Sequence, residues 1–181
     1  MLAGSEPIPG ELVHHAFVAT PLTAALLELD YATYMASPDV IQVHSDGRWP
    51  VDGFTREEDA RLIARHEADH RARTAFTFLL VDPTRTTGRG CLYINPLTPG
   101  DRTARVTFWI RQDQQDTDLP YEVVRATDRW LTEDWPTTSH VFRVLPAERT
   151  SREALERAGL HPVSVAQPAG ETRPYLYYQR G

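Results

Sequence analysis

Lysine is missing from the 181-residue chain, and all 19 basic residues are arginine. No Schiff base can form on a lysine amine, and no Walker-type phosphate loop can be completed. A compositional bias of the coding sequence is the simplest source, with selection for guanidinium geometry as the alternative. Cysteine occurs once, at Cys91. A lone cysteine excludes an internal disulfide framework and a Cys-rich zinc site. It reads as a small core residue, with a nucleophile as the lesser reading. Long apolar runs are also lacking: a stretch such as Phe76–Val81 is far too short to span a bilayer. The N-terminus has no charged head followed by an apolar stretch, so no secretory signal is expected and a cytoplasmic location is. Positive net charge is lacking as well. A formal charge of −6 argues against a general nucleic-acid binder. Neither a nucleic acid nor a membrane is expected as partner. Gly-x-Ser-x-Gly and Gly-x-Gly-x-x-Gly are both absent, which removes the nucleophile elbow and the dinucleotide fingerprint.

What is present fits one globular domain over residues 11–181 behind a loose arm, residues 1–10, rich in Pro and Gly. Glu11 to Ala19 reads as a first strand. Thr20 with Pro21 reads as the start of a helix whose Leu22, Ala25, Leu26 and Leu29 share a face. Pro38 ends that helix by Ser37. Residues 44–54 are turn-rich and read as a loop. Thr55-x-x-Glu58 is a capping box that opens a second helix, to about Arg73. Glu57/Arg61, Glu67/Arg71 and Asp69/Arg73 lie at i,i+4 with the acid first. That helix is poor in apolar residues and is expected to face water.

Ala75–Asp82, Gly90–Leu97 and Arg105–Gln112 are three strand-forming runs joined by short turns, which predicts an antiparallel meander. A third helix follows with Asp118 as cap, and with Val123, Ala126, Thr127, Trp130 and Leu131 on its inner face. His140–Leu145 reads as a strand. Thr150-x-x-Glu153 reads as another capping box, with Gly159 at the helix end. Pro162–Ala166 and Tyr175–Gln179 close the chain as strands. The order predicts an α+β (mixed α/β) fold: a mixed, mostly antiparallel sheet of about seven strands with four helices on its faces.

That order, with the segments FWIRQDQQDTDLPYEVV and RVLPAERTSREALERAGL and the final two strands, resembles the GNAT acyltransferase superfamily over residues 11 to 179. The resemblance implies an acyl-CoA-dependent N-acyltransferase, with acetyl-CoA as co-substrate. In that superfamily a loop of pattern Q/R-x-x-G-x-G/A holds the CoA pyrophosphate on backbone amides and a helix N-terminus. Gln115 fits its first position, Asp118 replaces the first glycine and Pro120 the last position. A carboxylate there repels an anion, and proline has no N–H to donate. Asp-Leu-Pro also reads as a well-capped helix start. Glu148-x-x-Ser151 stands where many members carry Asn-x-x-Ser. Leu155 stands where members often place a tyrosine as general acid. By position, the implied cofactor contacts are Ile110, Arg111, Gln115, Asp118 and Ser151.

Tyr93 and Asn95 share a strand face and are candidates for an acceptor cleft, or else pack the core. Trp109 reads as core. His66-Glu67-Ala68-Asp69-His70 matches the zinc-helix pattern H-E-x-x-H, but charged neighbours surround it and no third ligand is signalled, so no metal is expected. His14 and His15 are adjacent in the first strand, with one expected inside and one outside. No residue is identified as general base. The acceptor is expected to be a small-molecule or peptide amine, and a homodimer is one option for assembly. Two other readings remain: a non-catalytic module of the same fold that binds a small ligand or protein, and a zinc peptidase built on His66.

Overall fold

In the computed structural model, which describes residues 6–50, 52–166 and 170–181, thirteen strands and α-helices build one mixed sheet covered on both faces. The strands are β1 (Leu12–Val13), β2 (Val18–Pro21), β3 (Phe76–Val81), β4 (Gly88–Pro96), β5 (Thr103–Ile110), β6 (Ser139–Val144), β7 (Leu160–Val163) and β8 (Leu176–Arg180). The helices are α1 (Leu27–Met35), α2 (Pro38–Ser45), α3 (Arg56–Ala72), α4 (Leu119–Glu133) and α5 (Arg149–Arg157). The sheet runs β1-β2-β3-β4-β5-β6-β8-β7. Only β5 and β6 pair in parallel. The meander of β3, β4 and β5 is antiparallel, as its short turns require.

Alternation sorts the core. Leu92 and Ile94 of β4 join Phe78, Val106, Phe108, Phe142 and the buried stripe of α4. Cys91 and Trp109 point the other way and pack with Tyr34, Ile41 and Ile63 of α1, α2 and α3. All five residues assigned to the inner face of α4 are buried. Gly90, at φ +142, is where β4 and β5 close up, since a Cβ there would lie 2.0 Å from the Trp109 carbonyl oxygen.

Several local expectations are corrected. The first strand is a hairpin instead: His14 and Phe17 exchange backbone bonds across a turn at His15 and Ala16, and the His14 and His15 rings lie 4.2 Å apart. Thr20 and Pro21 extend β2 opposite Leu79 and Phe78 and do not open a helix. Proline is tolerated there because it ends the strand. The first helix ends at Met35, and Pro38 then starts α2 at its N1 position. Helix α2 therefore takes His44 and Ser45 out of the expected loop; Val51 of that loop lies outside the described residues. The Thr55–Glu58 capping box forms in both directions. The capping box expected at Thr150–Glu153 does not form, because α5 begins at Arg149 with Glu148 as its cap residue. Asp118 sits at the cap position of α4 without a side-chain cap bond; its Oδ1 accepts from Arg157 at 2.6 Å.

The three i,i+4 pairs foreseen on α3 are not among the ion pairs of the described residues. Of residues 1–10, the first five lie outside the described residues. In the rest, Glu6 pairs with Arg102 at 3.0 Å and Ile8 packs on the core.

Candidate active site

Strands β5 and β6 pair only from Thr103/Ser139 to Val106/Phe142. Beyond that point β5 continues to Ile110 beside β4, while Arg143 and Val144 pair with β8. The two parallel strands part and leave a wedge. A cleft of about 700 Å3 opens on the side of α1 and α3. A groove of about 320 Å3 lies between α2, the end of β5 and the start of α5. Trp109 and Glu148 line both, so the cleft and the groove meet at these two residues.

Glu148 is held there by its own chain: Oε2 accepts the Leu145 N–H at 2.5 Å. Its Oε1 lies 2.6 Å from Nδ1 of His44, with the two side chains 7% and 10% exposed. His44 comes from the last turn of α2, 104 residues away in the chain. A carboxylate bonded to Nδ1 fixes the imidazole tautomer: Nδ1 donates, and Nε2 keeps its lone pair. His44 lines the cleft between Trp49 (5.5 Å, edge-on) and Tyr93 (6.4 Å, stacked). A buried, oriented imidazole beside a carboxylate is the arrangement of a general base. The sequence carried two signals for it. Pro38 followed by Val40, Ile41 and Val43 is a short helical pattern ending at His44. Glu148 stands out in the sequence as a departure from the asparagine that many members of the family carry.

The rest of the cleft is aromatic above and acidic below. Trp109 Nε1 donates to the Tyr93 hydroxyl at 3.2 Å, and burial raises the Tyr93 phenol well above its ordinary range. Tyr93, Asn95 and Trp109 all line the cleft, so Trp109 is wall as well as core. Cys91 donates weakly to Oδ1 of Asp30 at 3.5 Å. Burial pushes its thiol well up, which keeps it protonated and removes the nucleophile reading. Asp30 on α1 and Asp59 on α3 are 8% and 3% exposed and meet at the floor. Burial, and then the neighbouring Asp59 charge, raise Asp30 from 3.8 to about 7. Burial raises Asp59 to about 6. Burial and then the Asp59 charge push the Tyr34 phenol up to about 12.

On the groove side the structure brings together Ile110, Gln115 and Ser151, with Glu148 between them and the cleft. Gln115 Nε2 donates to the Ile110 carbonyl at 2.6 Å. Arg111 and Asp118 lie outside the groove lining. The Arg111 N–H is bonded to the Arg89 carbonyl at 2.7 Å, and its guanidinium pairs with Asp113 at 3.2 Å. Leu155 is fully buried in the core beneath α5.

The two histidines of the H-E-x-x-H segment separate. His66 lines the cleft with Nδ1 3.0 Å from the Thr77 hydroxyl. His70 packs edge-on against Phe76 and Phe78. Both are partly buried, and burial lowers both imidazoles, so this face is drier than its charges suggested. Among the described residues no group of three or more His, Cys, Asp or Glu could hold a metal.

Residues 20–161 match the family model of the acetyltransferase (GNAT) domain. The fold is shared with RimL, a ribosomal L7/L12 alpha-N-protein acetyltransferase in complex with coenzyme A, at 14% identity and TM-score 0.76 over 94% of this chain and 97% of that one. It is shared with a ribosomal-protein-S5-alanine acetyltransferase from Vibrio fischeri at 13% identity and TM-score 0.76, over 94% and 95%. It is shared too with the microcin C7 self-immunity acetyltransferase MccE in complex with acetyl-CoA and AMP, at 12% identity and TM-score 0.74 over 92% and 93%. Among curated protein sequences none matches the chain.

Proposed function

Because the chain belongs to the GNAT acetyltransferase family, we propose that it transfers the acetyl group of acetyl-CoA to an amine held in the larger cleft, with His44 as general base. The observation that carries this reading is the His44–Glu148 pair at 2.6 Å, where the cleft and the groove meet. Acetyl-CoA enters by the groove, and its pantetheine arm follows the parted edge of β5. The Arg111 N–H bonds toward β4, so alternation turns the N–H groups of Phe108 and Ile110 toward the wedge. Those dipoles face the thioester oxygen, where charge develops.

The amine arrives as an ammonium. His44 Nε2 takes one proton, and the freed nitrogen lone pair attacks the thioester carbon. The C–N bond forms as the carbonyl oxygen becomes an oxyanion, and the C–S bond then breaks. The attacking nitrogen, now positively charged, gives up its second proton as the departing thiolate gains one. The Ser151 hydroxyl, in the groove three residues after Glu148, relays it by donating to the sulfur and taking the nitrogen's proton in return. Calorimetric titration with CoA, followed by a thiol-release assay with acetyl-CoA and simple amines, tests the reading. Micromolar binding and amine-dependent thiol release support it. Binding without release, or no binding at millimolar CoA, would favour a non-catalytic module of the same fold.

The phosphate end can be tested separately. The loop amides of Gln114, Gln115 and Thr117 are spent in local turns, and the Leu119 N–H is taken by the Thr117 hydroxyl. The Asp118 carboxylate is exposed and paired with Arg157, which stacks over Tyr121 at 4.1 Å. Asp118→Asn removes the repulsion and leaves Arg157 for the pyrophosphate. It is expected to tighten CoA by about 3–10-fold at low salt, an effect of about 1 kcal/mol that shrinks as salt rises. Because Asp118 makes no cap bond and its ion pair is exposed, the melting temperature should barely move. Unchanged or weaker CoA affinity would mean the phosphates lie elsewhere.

A further inference from the structure

The floor of the cleft holds two carboxyl groups, while Arg48, Arg61, Arg65, Arg143 and Arg173 line the cleft elsewhere. Asp30 and Asp59 approach each other from α1 and α3, and among the described residues the other side-chain bond to Asp30 is the weak one from Cys91. Among the described residues neither carboxyl forms an ion pair with any of those arginines. Oδ2 of Asp59 is buried and has no hydrogen-bond partner among the described residues, although Asp59 lines the cleft. An unmet buried carboxylate oxygen costs stability in the empty protein. A buried carboxyl pair with one oxygen unmet at the base of a cavity is best explained by a ligand that meets it.

The charge of that ligand follows from the carboxylates, and its body from the walls. Tyr34, Phe54, Trp49, Tyr93 and Trp109 line the space above the pair. Aromatic faces of this kind favour an organic cation on an apolar arm. An inorganic ion is disfavoured, because no third His, Cys, Asp or Glu completes a coordination shell among the described residues. A cavity of about 700 Å3 is the size of a small-molecule site.

We propose that Asp30 and Asp59 form a cation subsite at the floor of the acceptor cleft, so that the acceptor is a small dication: one amine faces His44 for acetylation, and a second ammonium or guanidinium group sits between the two carboxylates. The proposal rests on the reading of this cleft as the acceptor site. The spacer between the two charges is apolar. In the empty protein the shared proton holds the pair together. The bound cation replaces it, so binding strengthens as pH rises past the range in which the pair titrates.

The test uses the full chain without acetyl-CoA, which makes it independent of turnover. Calorimetric titration compares α,ω-diaminoalkanes of three to eight carbons, and agmatine for the guanidinium case, with 1-aminoalkanes of equal length at pH 8. At the best length the dication should bind at least tenfold tighter than the monoamine. In a D30N/D59N double variant that ratio should fall to near one. Should the double variant fail to fold, wild type at pH 5 gives the same loss of ratio, because the pair is then protonated while every amine stays charged. Equal affinity for monoamine and dication at all lengths overturns the subsite, as does a preference that survives both the double variant and pH 5. Thiol release with acetyl-CoA separates the two readings. Preferential dication binding without acetylation sinks the transferase reading alone. Acetylation of monoamines with no dication preference sinks the subsite alone.

Discussion

Replacing His44 with alanine should lower kcat for amine acetylation by about 10²–10⁴-fold, the range that positioned general bases supply. Affinity for CoA should not change, since His44 does not line the groove. Stability should fall by about 1–3 kcal/mol, because Glu148 would keep only the Leu145 N–H while staying buried. His44→Gln controls for that loss: it can still donate to Glu148 but carries no basic nitrogen, so it should fold well and remain slow. Glu148→Gln should cost less, about 10–100-fold. Its amide oxygen can still take the Leu145 N–H, but it no longer fixes which imidazole nitrogen carries the proton. A His44→Ala enzyme within threefold of wild type would remove His44 from the mechanism.

The pattern of what was legible has a physical cause. Strands β3 to β5 and the stripe of α4 were readable because period and turn chemistry are local signals. The capping box at Thr55 is local too, and it formed. Thr20-Pro21 and Thr150-x-x-Glu153 carried the same kind of signal and failed. In the first, pairing of β2 with β3 won over a cap. In the second, Glu148 was drawn to Leu145 and His44, and α5 started earlier. Asp118 was read as a cap because such residues usually are, yet Arg157, distant in sequence, holds its carboxylate.

Of the residues that line the cleft and the groove, Tyr93 and Asn95 follow from strand alternation, and Gln115 and Ser151 from the resemblance. His44 and Glu148 are 104 residues apart, and nothing local to either marks the other. Asp30 and Asp59 were hidden for the same reason. On sequence alone each is one more charge on a helix, and the packing of α1 on β4 and of α3 on α1 and β3 buries them.

That burial has a measurable consequence. Asp30→Asn should make the protein more stable at pH 8 and nearly neutral in effect at pH 4.5. The folded-state values of Asp30 and Asp59, about 7 and about 6, are raised above the ordinary 3.8. A raised carboxyl value means the folded state holds a proton that the unfolded chain has already lost. The stability linked to it is full below about pH 4 and is lost as pH rises toward 7. At pH 8 the folded wild type must keep two carboxylates together away from water. Asparagine reproduces the neutral form: its oxygen can accept from Cys91 and its amide can donate to Asp59. About three pK units on one group set a ceiling near 4 kcal/mol, and sharing between the two groups brings the expected gain to about 2–4 kcal/mol. In a domain of this size that is roughly 5–12 °C in melting temperature. Tyr34, Cys91 and Tyr93, titratable groups that feel the pair, stay neutral across this range and do not confuse the slope. Paired thermal melts of wild type and Asp30→Asn from pH 4.5 to 8.5 measure the gap directly. A gap that does not grow with pH, or a variant less stable at pH 8, would mean that the wild-type pair is already neutralised in solution. If the gap does grow, the chain retains a destabilising pair of acids at the base of its cleft, the trade expected of a binding site and not of a structural one.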